Sequence, residues 1–103
     1  MLFRPVLDDL ISSEVLLFEV RLGPSSSLIG DDIYPAEFHE RYRGNLLAIR
    51  RDSEVRRARL SDFELAAGDR LLVHGGRETL ELLESSGDFD ECFEVPENVL
   101  VED

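Results

Sequence analysis

Three segments in fixed order constrain this chain more than any bulk property. An apolar run within Glu14 to Leu22 (Val15, Leu16, Leu17, Phe18, Val20) enters the breaker Gly23-Pro24-Ser25-Ser26-Ser27, followed by Leu28-Ile29-Gly30. Phe38-His39-Glu40-Arg41-Tyr42-Arg43-Gly44-Asn45 comes next and leads directly into the β-prone Leu46 to Arg51. The third segment, Ala66-Ala67-Gly68-Asp69, turns into the apolar Arg70 to His74 and closes on Gly75-Gly76. The first run holds too many apolar neighbours for a strand with one wet face. It therefore reads as a central strand covered on both sides.

The intervening residues supply the other elements. Pro5 suits a first helical turn, and Val6, Leu7, Leu10 and Ile11 recur at helical spacing, which predicts a short amphipathic helix ending at Ser12-Ser13. Leu28 and Ile29 read as two apolar anchors before Gly30, a residue free to take positive φ. Asp31 and Asp32 are placed to cap a helix with Pro35 at its start, Phe38 and Tyr42 on its inner face and Gly44 as its C-cap. Arg51-Asp52-Ser53-Glu54 predicts a tight turn, with Val55 to Leu60 as the returning arm of a hairpin. Leu80, Leu82 and Leu83 mark a last helix that stops at Ser85-Ser86-Gly87.

The expectation is an α+β domain of order β-α-β-β-β-α on a mixed or antiparallel sheet. Residues 1–13 form a connecting helix or linker, residues 14–85 the domain, and residues 86–103 an acidic tail. That tail is richer in apolar residues than a pure linker, through Phe89, Phe93, Val95, Val99, Leu100 and Val101. Cys92 to Val95, or Val99 to Val101, should therefore dock on the domain or on a second copy. A chain ending at Ser86 is expected to keep the fold.

Charge excludes one class of partner. The net charge is −12, and the 11 basic residues are all arginine. Residues 21–77 carry ten arginines against nine acids, whereas residues 78–103 carry ten acids and no base. A near-neutral core with an acidic end offers no basic stripe for nucleic acid. Cys92 is the single cysteine, so no disulfide forms within the chain, and Asp90, Glu91 and Glu94 beside it should raise the thiol pKa. No apolar run approaches a membrane span and the first residues are not a signal peptide, so the piece reads as soluble.

Catalytic constellations are missing from the pattern. Gly75-Gly76 before a helix suits anion binding, but there is no P-loop Lys-Ser/Thr and no G-x-G-x-x-G, and Glu78 is negative at that helix start. His39 and His74 have no partner at metal or triad spacing, and Ser25, Ser26 and Ser27 have no activating base. The chain reads as a non-enzyme. Arg50, Arg51, Arg56, Arg57 and Arg59 crowd one hairpin, which suits either a small anion or pairing with acidic residues.

Taken together and in order, the three segments resemble the TrkA-C family, the C-terminal lobe of RCK regulatory domains, over roughly Glu14 to Leu83. The resemblance implies a domain that pairs about a two-fold axis as a homodimer. It would regulate a membrane-embedded channel or transporter part, controlling potassium or other cation transport from the cytoplasmic face of the membrane. It further implies a ligand in the dimer groove, cyclic di-adenosine monophosphate or a divalent cation, the latter with oxygens from Glu14, Glu19 and Asp31. For the nucleotide, the family's helix arginine falls on His39 and its asparagine on Asn45, with Arg41 or Arg43 supplying charge and Leu46 and Ile49 an apolar strand edge. The family's Tyr-Gly-x-Asn stands here as Tyr42-Arg43-Gly44-Asn45. The same resemblance admits a ligand-free assembly domain of a sodium-coupled anion symporter.

Overall fold

The computed structural model describes residues 16–95. Strand β1 (Leu16–Leu22) is followed by helix α1 (Pro35–Tyr42), β2 (Gly44–Arg51), β3 (Glu54–Arg56), a single 3-10 turn (Leu60–Asp62), β4 (Arg70–Gly75), α2 (Arg77–Ser85) and β5 (Phe89–Glu94). The five strands make one sheet in the order β3-β2-β4-β1-β5, with every neighbouring pair antiparallel. The α+β class holds, the sheet is antiparallel rather than mixed, and a seventh element, β5, extends the expected order. The expected helix ending at Ser12-Ser13 and the expected contact of Val99 to Val101 lie outside the described residues.

Both helices cover one face of the sheet. Phe18, Val20 and Leu22 of β1, Leu46 and Ile49 of β2 and Leu71 and Val73 of β4 meet Phe38, Tyr42 and Leu83 in a single core. The other face of β1 carries Glu19 and Arg21, both half-buried and ion-paired, so this strand is not apolar on both sides as its sequence suggests. Its neighbours are β4 and β5, which leaves β4 as the middle strand of the sheet.

Loop readings divide. Leu28 is buried, but Ile29 is 37% exposed, and Ile33 supplies the second anchor instead. Asp31 and Asp32 do not cap α1. Its N-cap is Tyr34, with no side-chain bond, and the main chain of Gly30 and Asp31 pairs instead with Leu65. At the other end of α1 the left-handed residue is Arg43 (φ 60), not Gly44.

Gly44 is needed for a different reason. It lies directly across from Gly75, and the buried Thr79 of α2 sits on both. A Cβ on Gly75 would fall 2.5 Å from Thr79 Oγ1, and one on Gly44 2.7 Å from Thr79 Cγ2. The paired glycines let α2 close onto the sheet, where Thr79 Oγ1 donates to the Arg43 carbonyl at 2.7 Å. Gly75→Ala is expected to destabilise the domain by about 1–3 kcal/mol through overpacking. Denaturant titration should show Thr79→Ser relieving most of Gly44→Ala, by removing Cγ2, but little of Gly75→Ala, where Oγ1 and Cβ remain in the way.

The far end of the sheet is clamped by charge. Asp69, only 1% exposed, receives two bonds from Arg51 (Nε and Nη2, each 2.8 Å) and one from the Ala66 N–H at 2.8 Å. A bidentate pair of this kind fixes the β2 end against the turn into β4. The Arg51 and Arg56 guanidinium groups both lie over the Phe63 ring, 4.3 and 4.8 Å from its centroid. Much of the arginine-rich hairpin is thus committed to structure.

Candidate functional site

The candidate site begins where α1 hands over to β2, and Asp88 sets the position of α1. Asp88 lies between α2 and β5 and is 5% exposed. Its Oδ1 accepts from Ser26 Oγ (3.2 Å), the Ser27 N–H (2.9 Å) and Ser27 Oγ (3.0 Å), while Oδ2 accepts from Tyr42 Oη (3.0 Å). One carboxylate therefore ties the Gly-Pro-Ser loop to the last turn of α1. Burial would raise its pKa, but the bonds from Ser27 and Tyr42, with Ser26, outweigh that and hold it below the ordinary 3.8. Tyr42 is pushed up to about 12, first by burial and then by its bond to Asp88.

Beyond Tyr42 the chain turns at Arg43, whose N–H donates to the His39 carbonyl at 2.7 Å. His39 and Arg43 are exposed at this helix end, and Asn45 is exposed at the start of β2, directly opposite the half-buried His74 of β4. Arg41 turns toward the serine loop instead. Its Nη2 lies 3.4 Å from Ser27 Oγ and 3.6 Å from Asp88 Oδ2, and its guanidinium sits 5.6 Å from the Tyr42 ring centroid.

Leu46 and Ile49 are core residues, 5% and 0% exposed, and β2 lies between β3 and β4 rather than at an edge. Strict alternation would send residues three apart to opposite faces. A bulge between Leu46 and Ala48 restores them both to the core and leaves Leu47 37% exposed. An apolar surface next to Asn45 is therefore offered by Leu47, not by Leu46 or Ile49. Sequence reasoning missed His74 as a cross-strand neighbour of Asn45 and Asp88 as the anchor of α1. The only signal for the latter was an acid straight after Gly87, whose φ is 80.

Other expected ligands are dispersed. Glu14 lies outside the described residues, Glu19 accepts from Arg50 (3.4 Å) and Arg70 (3.1 Å), and Asp31 is exposed in a loop. Among the described residues no group of three or more His, Cys, Asp or Glu gathers as a metal site. Gly76 N-caps α2 as a strand-to-helix turn. The Cys92 thiol is raised by burial first and then by Glu84, not by its sequence neighbours. No helix among the described residues is long and apolar enough to cross a membrane.

The model of the TrkA-C domain matches residues 17–86. The chain belongs to the TrkA-C family. Its similarity extends to an uncharacterized transporter of Synechocystis sp. (strain ATCC 27184 / PCC 6803 / Kazusa), at 41% identity over 68 residues, 66% of this chain and 11% of that protein. The uncharacterized transporter YfbS of Escherichia coli (strain K12) is 30% identical over 86 residues, 84% of this chain and 14% of its own length. This TrkA-C domain thus corresponds to a small part of each relative. Its membership places it in a non-catalytic regulatory family, and β5 lies just beyond the matched span.

Proposed function

We propose that this TrkA-C domain is the ligand-sensing regulatory domain of a membrane transporter, acting from the cytoplasmic side of the membrane as a homodimer. The observation that carries the reading is the joint one of family and context: the domain matches proteins named as transporters over 11% and 14% of their lengths. A ligand that binds one arrangement of two such domains better than another biases that arrangement, and with it an attached gate. The family's association with potassium and other cation transport supports a cation as cargo.

The ligand site is assigned to the α1–β2 junction, with His39, Arg43 and Asn45 as polar contacts, Leu47 as the apolar rest and Arg41 as a second-rank charge because Ser27 and Asp88 already engage it. Leu46 and Ile49 support it from inside. For cyclic di-adenosine monophosphate, Asn45→Ala should weaken binding by about 1–3 kcal/mol, and His39→Arg should strengthen it by adding a phosphate partner. Titration calorimetry decides this. Absence of heat with both the natural chain and His39→Arg removes the nucleotide and favours the assembly-only reading. Sedimentation at micromolar concentration should show a dimer, and a species of 11.7 kDa alone would oppose the two-fold arrangement.

A further inference from the structure

Arg50, Arg70 and Arg21 stand side by side on three adjacent strands. Arg50 is the register partner of Arg70 across β2 and β4, and Arg70 is the partner of Arg21 across β4 and β1. Like charges placed directly opposite one another destabilise a sheet, so three in a row is an arrangement that folding alone disfavours. The carboxylates that relieve it all come from β1 and β5. Glu19 meets Arg50 and Arg70, Glu91 meets Arg70 at 3.3 Å, and Asp90 meets Arg21 at 3.0 Å.

A cleft of about 540 Å³ opens on this row, lined by Arg21, Arg50, Arg51 and Arg70 and walled by the turn from Ala66 to Asp69. None of the three relieving carboxylates lines it. Its two acids are Asp52, exposed on the hairpin turn, and Asp69, whose oxygens are taken by Arg51 and Ala66. The described bonds of Arg21, Arg50 and Arg70 engage one terminal nitrogen each: Nη1, Nη2 and Nη1. A guanidinium carries five N–H donors, so each retains donors on its other nitrogens. In a chain of net charge −12, such a cleft is a local inversion of sign.

We propose that this arginine row binds a small oxyanion bearing at least two negative charges, a phosphate compound or a dicarboxylate, at a site separate from the α1–β2 junction. Arg50 lies five positions along β2 from Asn45, roughly 16 Å at strand rise. Oxyanions bridge adjacent guanidinium groups with paired, charge-assisted bonds, which turns the cross-strand repulsion into binding energy. The site depends on neither the nucleotide nor the dimer.

The test uses the full chain with pyrophosphate, inorganic phosphate and succinate, each against sodium chloride at matched ionic strength. Pyrophosphate or succinate should raise the melting temperature saturably, with calorimetric binding that falls tenfold or more in Arg21→Gln and in Arg50→Gln. Asn45→Ala should leave that binding unchanged. Without ligand, both arginine variants should keep a single cooperative melting transition, because each loses only a partly exposed ion pair; this shows that they fold. A response to pyrophosphate alone assigns phosphate compounds, and a response to succinate alone assigns dicarboxylates. A response no greater than that of sodium chloride, or one retained in the Arg21→Gln/Arg50→Gln double variant, overturns the proposal.

Discussion

A chain ending at Ser86 is expected to lose cooperative unfolding, against the sequence expectation that the tail is dispensable. Truncation there removes β5, which pairs with β1 over Phe18 to Leu22 and covers what would otherwise be an open edge. It also removes Phe89, whose ring meets Tyr42 edge-on at 5.7 Å, and the half-buried Cys92 that packs on the core. Two backbone bonds outside the ladder go with them, from the Gly23 N–H to the Asp88 carbonyl (3.0 Å) and from the Val95 N–H to the Leu17 carbonyl (2.8 Å). Asp88 itself is lost. The combined effect is on the order of 5 kcal/mol or more, comparable with the whole stability of a small domain. Thermal unfolding followed by circular dichroism should show a broad, low-amplitude transition for this chain and a sharp one for a chain ending at Val95. A sharp transition in both would show that β5 is an accessory strand.

How far the sequence reveals the fold can be judged from particular residues. The strands and helices with strong internal signals were legible: Phe38 and Tyr42 at helical spacing are both buried, with rings 4.8 Å apart, and the Asp52-Ser53 turn joins Arg51 to Glu54 as read. Failures came where tertiary pairing overrides local pattern. Cys92 to Val95 docks on the domain, one of the two contacts its apolar residues suggested, but Phe89, Cys92 and Phe93 among acids gave no sign of a strand, and only β1 supplies the partner that makes β5 one. The bulge at Leu47 reverses the parity of β2, and no local cue announces it, so Leu46 and Ile49 looked available when they are core. Gly44 looked like a C-cap because glycine favours left-handed backbone, whereas its lack of a side chain is what Thr79 requires. For the candidate site, Asn45 and His39 were legible through family resemblance alone. Residues reached only through the sheet, His74 and the Arg50-Arg70-Arg21 row, needed the register.

Asp88→Asn is expected to destabilise the domain by about 2–4 kcal/mol, the cost of disrupting a buried, charge-assisted network rather than one bond. The carboxylate accepts from four donors, and an amide can replace only part of that set while adding donors that face Tyr42 Oη and the Ser27 N–H. Tyr42→Phe removes a single donor to the carboxylate and should cost about 1 kcal/mol, so the two variants separate the hub from one of its spokes. The pH dependence follows from the direction of the shift. Because the folded Asp88 pKa lies below the ordinary 3.8, the folded state binds fewer protons than the unfolded one in that range. The stabilisation is therefore complete above the unfolded value and is lost as pH falls through the folded value. Urea unfolding of the natural chain should weaken progressively below about pH 4, and Asp88→Asn should flatten that loss while remaining less stable at neutral pH. An acid profile identical in the two proteins would assign the loss to other carboxylates, and the anchoring of α1 that positions His39, Arg43 and Asn45 would then rest on the packing of Tyr42 and Phe38 and on the Thr79 bond to the Arg43 carbonyl.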